Sequence, residues 1–338
     1  MDSIPLTEKI LEGKNLSAKE AGMFFTELGR GMVAPQDMMR TLFLLNKKGV
    51  TTFELLGAAR AFRNLAKPIK NLRMEAIDNC GTGGDGKDTF NISTAASFVI
   101  AACGVPVAKH GNRGVSSKFG SADLLQALGI NIEASPGVML RALEKTNFGY
   151  FHAPLYHAAM RSAIPFRKAV RSKTIFNILG PLLNPLGVKR QLIGTFSRQL
   201  LFTMAEVLKM LGTERATLVH GMDGTDEVSI SGPTEIVRLK KGLIHRQLFH
   251  PNQLGIKLVK LGRLRGGSQK DRVRDLHALF EGRGRPALEQ AVALNAAFGI
   301  QLCKENYALK ECFAMATQAM KNGAALNVVR KVREITNG

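Results

Sequence analysis

Between Asp78 and Leu128 the chain gathers glycines, hydroxyls and lysines more densely than anywhere else, in the runs DNCGTGGDGKDTFNIST, AKHGNRGVSSK and GSADLLQALG. Glycines leave backbone N–H groups open to close approach, and a helix start adds the positive end of its dipole, so this composition suits a phosphate. Gly81, Gly83 and Gly86 also satisfy GxGxxG, and Gly81 followed by Gly86 and Lys87 nearly spells a Walker A loop. Neither nucleotide reading holds. A dinucleotide fold places an acidic residue about 20 positions on to hold a ribose, where this chain has Val107, Ala108, Lys109 and His110. Asp88 stands where a Walker loop needs Ser or Thr. Two anion-binding segments remain. One runs through Asn91, Ser93 and Thr94 into a helix start, and the other comprises Lys109, His110, Gly111, Asn112, Ser116, Ser117 and Lys118. Each suits one phosphate group. Asp85 would repel a bare phosphate, but it suits a substrate hydroxyl or a loop amide as an acceptor.

Two further stretches carry chemistry. In HGMDGTDEVS, Asp226 and Glu227 lie side by side after a predicted strand end. Adjacent carboxylates in a loop suit magnesium, which takes a few hard oxygens and leaves its remaining positions to water and phosphate. Taken alone, the pair reads first as an ordinary turn, and His220 and Asp223 read as residues that shape that turn. The stretch APLYHAAMRSAIPFRKAVRSKTIFNILGPLLNP carries His157, Arg161 and Arg167 on a predicted helical segment. An arginine pairs a planar carboxylate through two parallel donors, although Arg167 alone reads first as a surface cation. The histidines show no HExxH or comparable spacing, which argues against a transition-metal site.

The elements that must position these groups fall into two parts. Residues 1 to about 70 read as helices. Ser17 with Glu20 and Thr51 with Glu54 form capping boxes, for helices from Ala18 to Leu28 and up to about Leu65. Between them, Pro35 opens a helix whose apolar face carries Met38, Met39, Leu42 and Leu45, and Gly49 stops it. So small a helical unit must dock on the rest of the chain or on a second subunit. After Lys67 and Pro68, short apolar runs alternate with amphipathic helices, the α/β signature. Strands are predicted at Met74 to Asp78, Val105 to Ala108, Gln191 to Phe196 and Ala216 to His220. The helices between them run from Ser93 to Cys103, from a Ser121 cap to Gly129, and from a Ser197 cap to Leu211. Leu288 to Ile335 reads as helical, with breaks at Gly299 and Gly323.

A formal net charge of +20 in 338 residues invites a nucleic-acid reading. The densest basic run, Arg238 to Arg285 with Arg263, Arg265, Lys270, Arg272 and Arg274, has no interleaved Tyr or Trp on which bases would stack. It reads as a solvated basic face, which makes nucleic acid an unfavoured partner, although the charge does not exclude one. Cys80, Cys103, Cys303 and Cys312 show no CxxC pair, which fits reduced thiols. With no long apolar run and no export-type N-terminus, the expected location is the cytoplasm, with no membrane partner.

The motifs GTGGDG, FNIST, AKHGNRGVSSK and GSADLLQALG, in this order and spacing, closely resemble the anthranilate phosphoribosyltransferase family of tryptophan biosynthesis, and the likeness runs through nearly the whole chain. The resemblance implies an α/β fold class with a small all-helical domain and a larger domain built on a central mixed, mainly parallel sheet flanked by helices. It places the helical domain at 1–72, with a returning helical segment at about 166–190, and the larger domain at 73–165 and 191–338. The implied reaction moves the 5-phosphoribosyl group from 5-phosphoribosyl 1-pyrophosphate to the amine of anthranilate, giving N-(5-phosphoribosyl)anthranilate and pyrophosphate. The implied donor residues are Gly81, Gly83, Gly84, Asp85, Thr89, Asn91, Ser93, Thr94, Lys109, Asn112, Ser116 and Ser117. Anthranilate is expected against Gly81, His110, Asn112, Pro154, His157, Arg167 and Gly180. Magnesium, two ions with bound donor, falls to Ser93, Asp226 and Glu227, and no residue is assigned as general base. The resemblance also implies a homodimer formed through the helical domain. Lys173, Phe119 and Met160 depart from the family pattern, bearing on rate and acceptor affinity. A nucleoside phosphorylase on the same fold is the alternative enzyme reading.

Overall fold

Four helices open the computed structural model, which describes residues 4–67, 69, 74–114, 119–170 and 172–338: α1 (Ile4–Leu11), α2 (Ala18–Gly29), α3 (Pro35–Lys48) and α4 (Thr52–Leu65). Both expected capping boxes form. The Glu20 amide donates to Ser17 Oγ at 3.2 Å, and the Ser17 amide returns to the Glu20 carboxylate at 2.8 Å. The Glu54 amide donates to Thr51 Oγ1 at 3.4 Å, and the Thr51 amide returns at 2.8 Å. Glu54 is fully buried, and it also accepts from Leu16 N at 2.9 Å and pairs with Lys48 at 3.0 Å. One carboxylate therefore ties the entry to α2 and the end of α3 to the start of α4. Phe25 and Phe62 inside this layer meet Phe176 at 6.3 and 6.2 Å.

The rest of the chain builds one seven-stranded sheet: β1 (Ile77–Gly81), β2 (Val107–Gly111), β3 (Phe148–His152), β4 (Arg190–Gly194), β5 (Arg215–Gly221), β6 (Thr234–Lys240) and β7 (Leu243–Phe249), in spatial order β3-β2-β1-β4-β5-β6-β7. The first five run parallel, and β6 and β7 are antiparallel additions. The helices are α5 (Ile92–Ala102), α6 (Ser121–Ala127), α7 (Pro136–Thr146), α8 (Ala153–Tyr156), α9 (Ile164–Ala169), α10 (Ile175–Leu179), α11 (Leu200–Met210), α12 (Gln269–Phe280), α13 (Pro286–Cys303), α14 (Leu309–Lys321) and α15 (Ala324–Asn337). The chain winds outward from β1 to β3 and returns to lay β4 beside β1. Ligands of open α/β sheets bind at such a reversal, outside the carboxyl ends of the strands, and the glycine loop leaves β1 at that point.

Several expected boundaries move. The first strand starts at Ile77 rather than Met74, because Ile77 sits in register with both Val107 and Arg190. It continues through polar Asp78 and Asn79, whose side chains find partners inside the protein: Asn184 Nδ2 donates to Asp78 at 2.9 Å, and Asn79 donates to Ser93 O at 2.9 Å. Ser121 is the first residue of α6 and not its cap. The Asp123 carboxylate does the capping, accepting from Gly120 N at 2.7 Å and Gly114 N at 3.1 Å. Ser197 likewise lies in a turn ahead of α11, whose cap position is Gln199. Gly299 does not break α13. A Cβ there would come within 2.4 Å of Ile100 Cδ1, so the missing side chain lets α13 lie close against α5. Gly323, with φ of +75°, does separate α14 from α15. No described helix is long and apolar enough to cross a membrane.

Candidate active site

At the reversal, the segment carrying Asp226 and Glu227 lies directly on the ends of β1 and β4. A Cβ on Gly194 would sit 1.6 Å from the carbonyl oxygen of Asp226, and one on Gly81 would sit 2.5 Å from Asp226 Oδ2. Only glycine at both strand ends admits the acidic segment. Gly194→Ala is therefore expected to push it off the sheet, costing about 1–3 kcal/mol of stability together with most of the turnover, as thermal unfolding and steady-state rates will register.

Asp226 accepts from Gly83 N at 2.9 Å, and Glu227 accepts from Ser93 N, in the first turn of α5, at 3.0 Å. Burial, then the charge of Asp85, pushes the Asp226 carboxyl up to about 6, against the Gly83 amide. Burial and the charge of Asp226 push Glu227 well above the usual carboxylate range. Asp85 accepts from Lys87 N at 3.1 Å, while its other oxygen is buried with no partner among the described residues. The charges of Asp85 and Asp226 thus oppose ionisation of their neighbours Asp226 and Glu227, an arrangement that a divalent cation relieves. Among the described residues no three His, Cys, Asp or Glu side chains converge to cage an ion alone. That suits magnesium, which keeps waters and substrate oxygens, and it fits Asp226 and Glu227 as its protein anchors.

The glycine loop bends through Gly83 and Gly84, both left-handed with φ of +62° and +74°. Beside it Lys109, 2% exposed, donates to the carbonyl of Asn79. Burial lowers its pKa, while Asp78, Glu227 and Asp226 act to raise it. Burial also pushes Asp78 up to about 6, against the Asn184 hydrogen bond and the charge of Lys109.

Beyond these groups the space widens between α8, α9 and α10. His110 Nδ1 donates to Gly180 O at 3.3 Å and His157 Nε2 to Leu183 O at 2.7 Å, with the two rings 5.1 Å apart in edge contact. The remaining nitrogens, His110 Nε2 and His157 Nδ1, are buried without partners among the described residues. Burial, with His157 a lesser cause, lowers the His110 pKa to about 3, and burial lowers that of His157. Both imidazoles are neutral at working pH. A folded pKa below the unfolded one means stability that is present above about 6.5 and is lost as pH falls towards 3. His110→Asn is therefore expected to remove about 2 kcal/mol of the difference between pH 6.5 and pH 5, measured as the pH slope of chemical unfolding.

Arg167 is half-buried, and burial lowers its pKa. No carboxylate pairs with it among the described residues.

These groups enclose one cavity of about 490 Å³. It is lined by every expected donor, acceptor and magnesium residue that falls within the described part: Gly81, Gly83, Gly84, Asp85, Thr89, Asn91, Ser93, Thr94, Lys109, His110, Asn112, Pro154, His157, Arg167, Gly180, Asp226 and Glu227. Ser116 and Ser117 lie outside the described residues. Phe119 and Met160 also line the cavity, whereas Lys173 stacks its ammonium 3.5 Å from the Phe196 ring centroid. His220 and Asp223 hold the turn as expected: His220 donates to Thr195 O at 2.8 Å, and Asp223 accepts from Thr225 Oγ1 at 2.7 Å and Ser229 Oγ at 2.6 Å. Arg161, Arg167 and His157 do not share one helix. They fall on a 3-10 turn, on α9 and at the end of α8.

Among the lining residues outside the expected set, one is charged and buried. Arg272, read as part of a solvated basic run, is buried and reaches the cavity from α12. The usable signal was Gly266-Gly267 followed by the capping pair Ser268 and Asp271, which marks a tight loop entering a helix.

The model of a glycosyl transferase family a/b domain matches residues 73–326. The anthranilate phosphoribosyltransferase of Azospirillum brasilense is 43% identical over 99% of this chain and 94% of its own length, and that of Desulfatibacillum aliphaticivorans is 40% identical over 98% of each. The chain belongs to the anthranilate phosphoribosyltransferase family. Its activity is that of the family, in tryptophan biosynthesis. The crystal structure of the family member from Thermus thermophilus superposes with a TM-score of 0.92 at 37% identity, covering 100% of both chains. The Saccharomyces cerevisiae member in complex with PRPP and Mg has the same fold, with a TM-score of 0.88 at 23% identity over 99% of this chain and 98% of that one.

Proposed function

We propose that 5-phosphoribosyl 1-pyrophosphate lies across the two loops, on the Gly81 to Thr94 segment and on Lys109 and Asn112. Anthranilate then fills the wider space, its carboxylate on Arg167 and its ring among Pro154, His157 and Gly180. The observation that carries this reading is one cavity lined both by the half-buried Arg167 guanidinium, which no carboxylate pairs among the described residues, and by the Asp85, Asp226 and Glu227 carboxyl groups. A carboxylate suits the first, and a metal-bound diphosphate suits the second.

Asp226, Glu227 and Ser93 would hold magnesium, two ions with bound donor, and bound ions supply neutralisation of the charge on departing pyrophosphate. The chain's own contribution is alignment. Gly83 N and Ser93 N fix the two carboxylates, and Lys109, held by Asn79 O, presents its Nζ to the donor site. The neutral aryl amine displaces pyrophosphate at the anomeric carbon through a transition state with oxocarbenium character, so orientation and leaving-group stabilisation carry the rate. With Nδ1–H committed to Gly180, His110 Nε2 presents a lone pair to orient an amine N–H. No strong base is required, because the amine proton becomes acidic only as the new bond forms.

Calorimetric titration with the donor tests this placement. Tight binding is expected with magnesium and binding weakened at least about tenfold without it; magnesium-independent binding would contradict it. The helical layer exposes Leu11, Met32, Phe43 and Phe53, each more than half accessible, and a homodimer would cover them. Sedimentation at the monomer mass at micromolar concentration would rule that out.

A further inference from the structure

Arg272 stands in the most basic stretch of the sequence, yet its side chain is 3% exposed. Four of its five N–H groups have partners. Nε donates to Gly267 O at 3.2 Å, Nη1 to Thr89 O at 2.6 Å and Asn91 Oδ1 at 3.1 Å, and Nη2 to Asp88 Oδ1 at 2.6 Å. Its guanidinium faces the Phe119 ring at 5.6 Å. Gly266 packs so closely that a Cβ there would lie 2.2 Å from Arg272 Cζ. Asp88 has a left-handed φ of +49°, a conformation that a non-glycine residue keeps only when its surroundings hold it. The same stretch is tied by Gly266 N to Asp88 O at 3.1 Å and Phe90 N to Leu264 O at 2.7 Å.

We infer that Arg272 is a positioning residue for the phosphate loop: its planar fork sets Asp88, Thr89 and Asn91 in the conformation that receives the donor. It acts from α12, which contributes no other described residue to the cavity. The inference rests on the proposed placement of the donor over this loop. A lysine cannot replace the fork, because one ammonium point charge does not reproduce planar donation to three acceptors on separate residues.

The test combines amide hydrogen exchange of the ligand-free protein with steady-state kinetics, for Arg272→Ala and Arg272→Lys. Exchange at Phe90 and Gly266 is expected to accelerate at least about tenfold while β1 to β5 keep their protection. The donor KM is expected to rise at least about tenfold, with kcat and the anthranilate KM within about twofold. Should the alanine variant fail to fold, the lysine variant decides, since it retains charge and stem. Unchanged exchange at Phe90 and Gly266, acceleration spread evenly over the sheet, or equal rises in both KM values would overturn the inference. Magnesium-independent donor binding by the wild type would overturn the donor placement instead, and the exchange result would still decide whether Arg272 holds the loop.

Discussion

Turnover is expected to fall at least about a thousandfold when Asp226→Asn and Glu227→Gln are combined, since the protein would lose the proposed magnesium anchors and with them the stabilisation of the leaving pyrophosphate. The substitutions are isosteric. Their amide oxygens still accept from Gly83 N and Ser93 N, the two hydrogen bonds that seat the acidic segment. Burial raises the pKa of both carboxyl groups, so neutral replacements relieve a desolvation cost rather than create one. The metal-free double variant should therefore unfold no earlier than wild type. Loss of activity together with retained stability separates a metal role from a structural one. Near-normal rates at limiting magnesium would remove the pair from the metal site.

Arg167→Ala is expected to act on one substrate only. A charge-assisted pair with a planar carboxylate is worth about 1.5–3 kcal/mol, which corresponds to roughly a 10- to 150-fold rise in the anthranilate KM. The donor KM should stay within about twofold, because the proposed donor placement is on the glycine loop and Lys109 and not on Arg167. Initial rates with each substrate varied in turn read both constants. A comparable rise in the two would contradict the assignment.

The helical start was legible almost residue by residue, because capping boxes and the 3.6-residue period are local signals that Ser17, Glu20, Thr51 and Glu54 carry by themselves. The alternation of strand and helix from β1 to α6 and from β4 to β5 was legible for the same reason. Strand edges were not: β1 runs through Asp78 and Asn79, whose partners lie on α5 and at Asn184, and no pattern within the strand announces them. β3 and the β6–β7 hairpin went unassigned.

The chemistry of the site was legible in residue types, with glycines, hydroxyls and a lysine for phosphate, paired acids for a hard cation and arginine for a carboxylate. Their convergence came from the resemblance. It is realised physically by the glycines at 81 and 194, which admit the Asp226 side chain and backbone respectively. Arg272 escaped because a buried arginine and an exposed one look alike in a basic run. What distinguishes it is the set of acceptors around it, drawn from positions far off in sequence.

The central claim is tested most directly by anthranilate fluorescence on mixing with the protein, 5-phosphoribosyl 1-pyrophosphate and magnesium. The signal should decay with release of pyrophosphate, should stop on chelation of magnesium, and should persist in the combined Asp226→Asn and Glu227→Gln variant. A stable signal with correctly folded wild-type protein, or decay indifferent to both the metal and the two carboxylates, would contradict the account.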